Sequence, residues 1–191
     1  MAGKFNIRRH ALGATLDPKG LMLRFLFPRL TPAQQRGQPL FDKAVSHARQ
    51  RHWYVEGGIA DSLDGRFTML ATVCAMISVR LEMLPEQGPE QSAALTERFV
   101  EAMDAEHRQM GMNDPALGRS VRKMVGSLAR RVGEWRVAVS DAARWEDVVR
   151  SSVYGTGAPS DTQLAHSSAK LRELWQRLAS SSDADIVKGV Y

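Results

Sequence analysis

The 191-residue chain holds one cysteine, Cys74, so no disulfide forms within it and no cysteine cluster for a metal can be built by one copy. The apolar run around Cys74 predicts a buried structural thiol. Histidines are scarce too. The five are His10, His47, His52, His107 and His166, and none stands four residues from another or beside a glutamate in a zinc-hydrolase pattern. There is no phosphate-binding loop, no dinucleotide fingerprint and no Gly-x-Ser-x-Gly elbow, which removes the common signals for nucleotide chemistry and acyl transfer. The carboxylate pairs Asp61/Asp64 and Asp104/Glu106 fit helix capping and solvation better than acid–base catalysis. No run reaches the roughly 18 to 20 apolar residues that span a bilayer, and the N-terminus lacks the charged, apolar, small order of a cleavable signal. These absences predict a soluble, cytoplasmic binding protein with no catalytic site, no metal, no cofactor and no small-molecule substrate.

What the chain does have is an uneven charge. Of its net +5, residues 1–36 hold +6, from Lys4, Arg8, Arg9, Lys19, Arg24, Arg29 and Arg36 against Asp17, and the remainder is −1. A basic arm on a near-neutral body suits docking to something anionic, either ribosomal RNA or acidic lipid headgroups. Residues 1–20 lack periodicity and end in the turn cluster Asp17-Pro18-Lys19-Gly20, so they are read as disordered. Residues 21–30 mix large apolar side chains with two arginines, which fits either an interfacial segment or a cover folded back on the body. Arg8, Arg9, Lys19, Leu23, Arg24, Phe25, Phe27 and Arg29 are the candidate membrane or ribosome contacts. A chain starting at Met22 would look complete, making residues 1–21 a candidate upstream extension.

From Pro39 onward the periodicity is helical. Leu40, Phe41, Ala44, Val45, Ala48 and His52 predict a first helix to about Trp53, with Pro39 in its first turn. Gly57-Gly58 breaks it, and Asp61 or Ser62 caps a second helix running to about Leu84. That helix carries no charge between Arg66 and Arg80 and is apolar all round, the mark of a central, buried element. A third helix shows Leu95, Phe99, Met103 and Met110 on one face, with Gly111 as its stop. A fourth, opened by Asp114-Pro115, carries the seam Leu117, Val121, Met124, Leu128, Val132, Trp135 and Val139. Ser140 or Asp141 starts a fifth, ended by Gly155 and Gly157, and Ser160 with Gln163 forms a capping box for a sixth. No strand pattern occurs. The predicted fold is all-α: a basic arm (1–36), a bundle-like domain of about six helices (37–180) and a C-terminal tail (181–191). On the fourth helix Arg119, Arg122, Lys123, Arg130 and Arg131 form either a polyanion-binding face or an ordinary solvated one.

Two blocks carry a family signal. Trp53-Tyr54, Gly58-Ile59, Asp61 and Asp64-Gly65-Arg66-Phe67 open an apolar helix that ends in Arg80-Leu81. Asp104, Arg108, Met110-Gly111, Asp114, Gly118 and Val121-Arg122-Lys123-Met124 follow in order, with a weaker third match at Val153-Tyr154-Gly155. Residues 39–155 thereby resemble the ubiquinol–cytochrome c chaperone family. Three departures stand out: Ala60 where a proline is usual, Val73 where a histidine is often found, and Leu128-Ala129-Arg130-Arg131 in place of an aromatic-rich segment. The resemblance implies a non-enzymatic, all-α assembly factor for respiratory complex III. Its implied partner is immature cytochrome b or another complex III subunit, met near the ribosome or on the inner face of the cytoplasmic membrane. Tyr54, Asp61, Asp64, Gly65, Arg66, Phe67, Asp104, Arg108, Gly111, Asp114, Arg122, Lys123 and Tyr154 are then the candidate client-binding or family-motif residues. The competing reading is a ribosome- or RNA-binding module that uses the arm and the fourth-helix arginines; DNA is not an expected partner.

Overall fold

A computed structural model describes residues 36–109 and 114–191, apart from the side chains of residues 107 and 114–117. The expectations for the arm residues Arg8 to Arg29, for Gly111 and for the side chain of Asp114 lie outside the described residues.

Helix α1 (Gln38–Ala48) starts after Gly37, whose φ of 71° suits glycine, with Pro39 in its first turn. It turns Leu40, Phe41, Ala44 and Ala48 inward. The single helix expected to reach Trp53 is broken at Arg49-Gln50 and resumes as α2 (His52–Val55). No proline or glycine marks this break. Tertiary packing causes it: the turn sends the Trp53 ring into the core, where its Nε1 donates to the carbonyl of His47 at 2.7 Å. That bond satisfies one of the free carbonyls at the end of α1.

Helix α3 (Leu63–Leu81) is capped by Ser62, whose hydroxyl accepts from Gly65 N at 3.2 Å. Every residue from Met69 to Leu81 is buried. Expected as the central helix, α3 packs against α1, α4 (Gly88–Gln109), α5 (Asp114–Ser140) and α7 (Asp161–Ser180). The predicted seam of α5 faces the core, with Met124, Leu128 and Trp135 buried and Val121, Val132 and Val139 packed beside them.

The expected fifth helix is one path with three pitches. A 3₁₀ turn (Ala142–Arg144) leads into α6 (Trp145–Val149), which widens into a π-turn (Arg150–Tyr154) before Gly155 ends it at φ 59°. The widening centres on buried Ser152. Its carbonyl accepts from Thr72 Oγ1 and from Arg131 Nε and one Arg131 terminal nitrogen, at 3.3, 3.2 and 3.1 Å. Its hydroxyl meets Thr72 and Trp135 Nε1. A π-turn frees a carbonyl from the helical ladder, and here side chains of α3 and α5 take it up.

The capping box at Ser160 and Gln163 opens α7 as read from the sequence. Residues 181–191, expected as a tail, contain a further short helix, α8 (Asp183–Val187), capped by Ser182 and anchored by fully buried Ile186. Arg80, near the end of α3, reaches across to this junction. It donates to the carbonyls of Leu178 and Ser181 at 3.0 and 3.1 Å and pairs with Asp183 at 2.7 Å, filling the acceptors left at the end of α7. No strand occurs among the described residues, so the all-α expectation holds.

Candidate functional site

A recess of about 570 Å³ lies where α1, α2, α3 and α4 meet. Phe41 and Val45 of α1, Phe67 and Leu70 of α3, and Met103 of α4 make its apolar wall. Phe67 is itself propped by Phe99, with ring centroids 5.7 Å apart. A second recess of about 180 Å³ shares Leu63, Phe67, Met103 and Glu106 with the first and extends to Lys123, Met124 and Ser127 of α5. Together they form one groove with an apolar floor and a charged rim. The combined size suits a few large side chains.

The loop entering α3 builds the rim. Because Ser62 takes the cap, Asp61 is free to accept from Arg66 Nε at 2.7 Å. The guanidinium holds the Asp61 carboxyl below the usual carboxylate range, and Asp61 in turn raises Arg66. Both side chains are exposed, so the pair orients the rim more than it stabilises the fold. Gly65 is required by contact: a Cβ there would lie 2.0 Å from the Ala60 carbonyl oxygen. Tyr54 closes one wall, its hydroxyl donating to the Ala48 carbonyl at 2.7 Å. Burial raises its pKa, and Asp61 adds to the effect. Large exposed apolar groups are few among the described residues, yet Leu63, at the first turn of α3, is 42% exposed and lines both parts of the groove.

Of the residues singled out from the sequence, Tyr54, Asp61, Arg66 and Phe67 line the main recess, and Asp64 and Lys123 line its extension. Gly65 lies beneath the rim. Asp104 and Arg108 form an ion pair at 2.8 Å along α4 and do not line the groove; Arg122 is exposed on α5 and does not line it either. Tyr154 stands apart as a structural pin, its hydroxyl 2.8 Å from Gly57 O, 3.0 Å from Gln163 O and 2.7 Å from Ser167 Oγ. In the sequence, Leu63 and the groove-facing parts of Phe41, Val45, Met103 and Met124 read only as helix-face or motif positions, and Glu106 only as a capping or solvated carboxylate. Their helical spacing marks a core face, and only the packing shows that the neighbouring helices leave part of that face uncovered.

The basic face of α5 is narrower than its composition suggests. Arg131 is buried on Ser152, and Arg130 pairs with Glu134, which leaves Arg119, Arg122 and Lys123 exposed toward one end. Among the described residues no group of three or more metal-ligating side chains converges.

The family model described as ubiquinol-cytochrome C chaperone matches residues 55–191, which takes in α3 to α8 and most of the groove. The chain belongs to the ubiquinol–cytochrome c chaperone family. The crystal structure of the Cbp3 homolog from Brucella abortus superposes with a TM-score of 0.70 at 19% identity, over 88% of this chain and 94% of that one. At that identity the likeness establishes a shared fold. No curated protein sequence matches. For this ubiquinol–cytochrome c chaperone family member, no helix among the described residues is long and apolar enough to cross a membrane.

Proposed function

We propose that this chain is a non-enzymatic assembly chaperone of the cytochrome bc1 complex and that its groove holds an apolar segment of an immature membrane subunit, cytochrome b being the first candidate. The observation that carries the reading is the convergence of the family-motif residues Tyr54, Asp61, Asp64, Arg66 and Phe67 on an apolar groove that none of the described helices fills. Met103 and Met124 in its wall repack at low cost, which suits a client that offers several side-chain shapes. A polar rim around an apolar centre lets the groove admit an apolar segment and release it again. In this reading the basic arm serves as an address, bringing the body to an anionic membrane surface or to the ribosome.

Leu63→Asp provides the test. The exposed position and the first turn of α3 both tolerate an acid, so the fold should persist while the groove gains a charge. Tagged full-length protein captured in mild detergent should bring down complex III subunits, cytochrome b among them. L63D should lower that yield about tenfold with an unchanged melting curve, a loss of about 1.4 kcal/mol in binding. Capture without any complex III subunit would overturn the proposal.

A further inference from the structure

Helix α2 is four residues long and belongs to two neighbourhoods. Tyr54 lines the groove, while His52 lines a recess against α7. His52 Nδ1 lies 3.1 Å from His166 Nε2, and His52 Nε2 lies 2.8 Å from Gln50 Oε1. The amide fixes the direction of these bonds. Gln50 Oε1 can only accept, so His52 Nε2 carries the proton and Nδ1 of the neutral ring is bare. His166 Nε2–H therefore donates to it. The Gln50 amide nitrogen points on to His47 Nδ1 at 3.4 Å. His166, His52, Gln50 and His47 thus form one directional chain from α7 through α2 to the end of α1.

One added proton leaves the contact intact whichever ring carries it, because the other ring accepts through its bare nitrogen. With both rings protonated the contact has two donors and no acceptor. We propose that the His52–His166 contact is an acid-sensitive latch on the groove: protonation of both rings separates α2 from α7 and loosens the wall that Tyr54 supplies. The groups facing His52 set the balance. From α7 come His166, Lys170 and Glu173, with Arg177 in the same recess, and Glu56 comes from α2 itself. His47 lines that recess from the end of α1, and the Trp53 ring lies 4.2 Å away. Burial, His166 and Lys170 hold the ring below the usual imidazole range against the pull of Glu56 and Glu173. The latch is therefore closed at neutrality and opens as pH falls below the ordinary imidazole value of about 6.5. Tyr154 pins Gly57, which confines the released segment to Arg49 through Glu56.

This inference deepens the reading of the groove, but its test needs no client. Nitrogen spectra of the imidazoles in the full-length protein should show His52 as the Nε2–H tautomer at neutral pH. Fluorescence of an apolar dye such as anilinonaphthalene sulfonate should rise about threefold as pH is taken from about 7.5 to well below the ordinary imidazole value of about 6.5, in step with the second protonation of the pair, and fall on return. In His166→Gln the amide can donate to a neutral His52 or turn over and accept from a protonated one, so the dye response should disappear. An equal response in H166Q, protonation of both rings without a dye response, or a neutral His52 in the other tautomer would each overturn the latch. If H166Q folds poorly, the wild-type spectra and dye curve decide alone. A failed client capture alongside the expected spectra would count against the client assignment and leave the latch standing.

Discussion

Arg131 carries its guanidinium into the interior between α5 and the π-turn and finds no carboxylate among the described residues hydrogen-bonded to it there. Nε and a terminal nitrogen donate to Ser152 O, and the other terminal nitrogen donates to the carbonyl and hydroxyl of Ser127. Burial lowers its pKa to about 10, so the group stays charged at neutral pH and the carbonyls carry the compensation. Arg131→Met keeps much of the volume but strips these donors from acceptors shielded from water. Urea denaturation should show a loss of about 2 to 3 kcal/mol. Arg131→Lys should recover only part of this, because one ammonium cannot reproduce the fork. An R131M protein as stable as the parent would refute this role. The position was legible in part: Arg131 stands three residues after Leu128 and four before Trp135, on the buried side of the seam. Its charge placed it with the polyanion-binding or solvated face of the fourth helix, and the acceptor that draws it inward, a carbonyl freed by a π-turn, leaves no mark in composition.

At the level of elements, strong periodicity and cap chemistry were readable, and features made by long-range packing were not. The seam of α5 and the Ser160 capping box are local signals and appear as read. The break at Arg49-Gln50 depends on Trp53 finding the core, and α8 is five residues with a single buried isoleucine, too short to show a period. Beyond α8 the chain ends with the Tyr191 ring stacked on His47 at 5.5 Å and Lys43 Nζ 5.7 Å from its centre. Burial, with a contribution from Cys74, raises the tyrosine pKa, and burial alone raises that of the Cys74 thiol. The two groups are thus electrostatic neighbours under the same cover. Removing residues 188–191 should lower Tm by roughly 5 to 10 °C, from about 2 to 3 kcal/mol of lost aromatic burial, and should speed reaction of Cys74 with a thiol reagent in native buffer. Unchanged labelling and melting would mean that the end of the chain does not close the core.

Across the whole molecule the charge division was legible at once, since a +6 arm beside a −1 body follows from counting. The groove was only half legible: all its motif residues but Lys123 fall between Tyr54 and Phe67, but its apolar wall comes from four helices whose separate faces all read as core. The histidine chain was not legible at all, because His52 and His166 are 114 residues apart. Its setting has a thermodynamic consequence. Burial lowers the pKa of His47 to about 4 and also lowers that of His52, so between about pH 6.5 and about pH 4 the unfolded chain binds more protons than the folded one. The stabilising contribution is therefore full above about pH 6.5 and is lost as pH falls toward 4, with a slope of up to about 1.4 kcal/mol per pH unit from His47. The lowered carboxyls of Asp61 and Glu173 act in the same direction at still lower pH, but both are exposed and add little. Urea midpoints measured across this range should decline steadily with acid, and His47→Gln, which cannot take up the proton, should flatten the curve. A midpoint independent of pH from 6.5 to 4 in the parent protein would show that His47 is not held neutral by the fold.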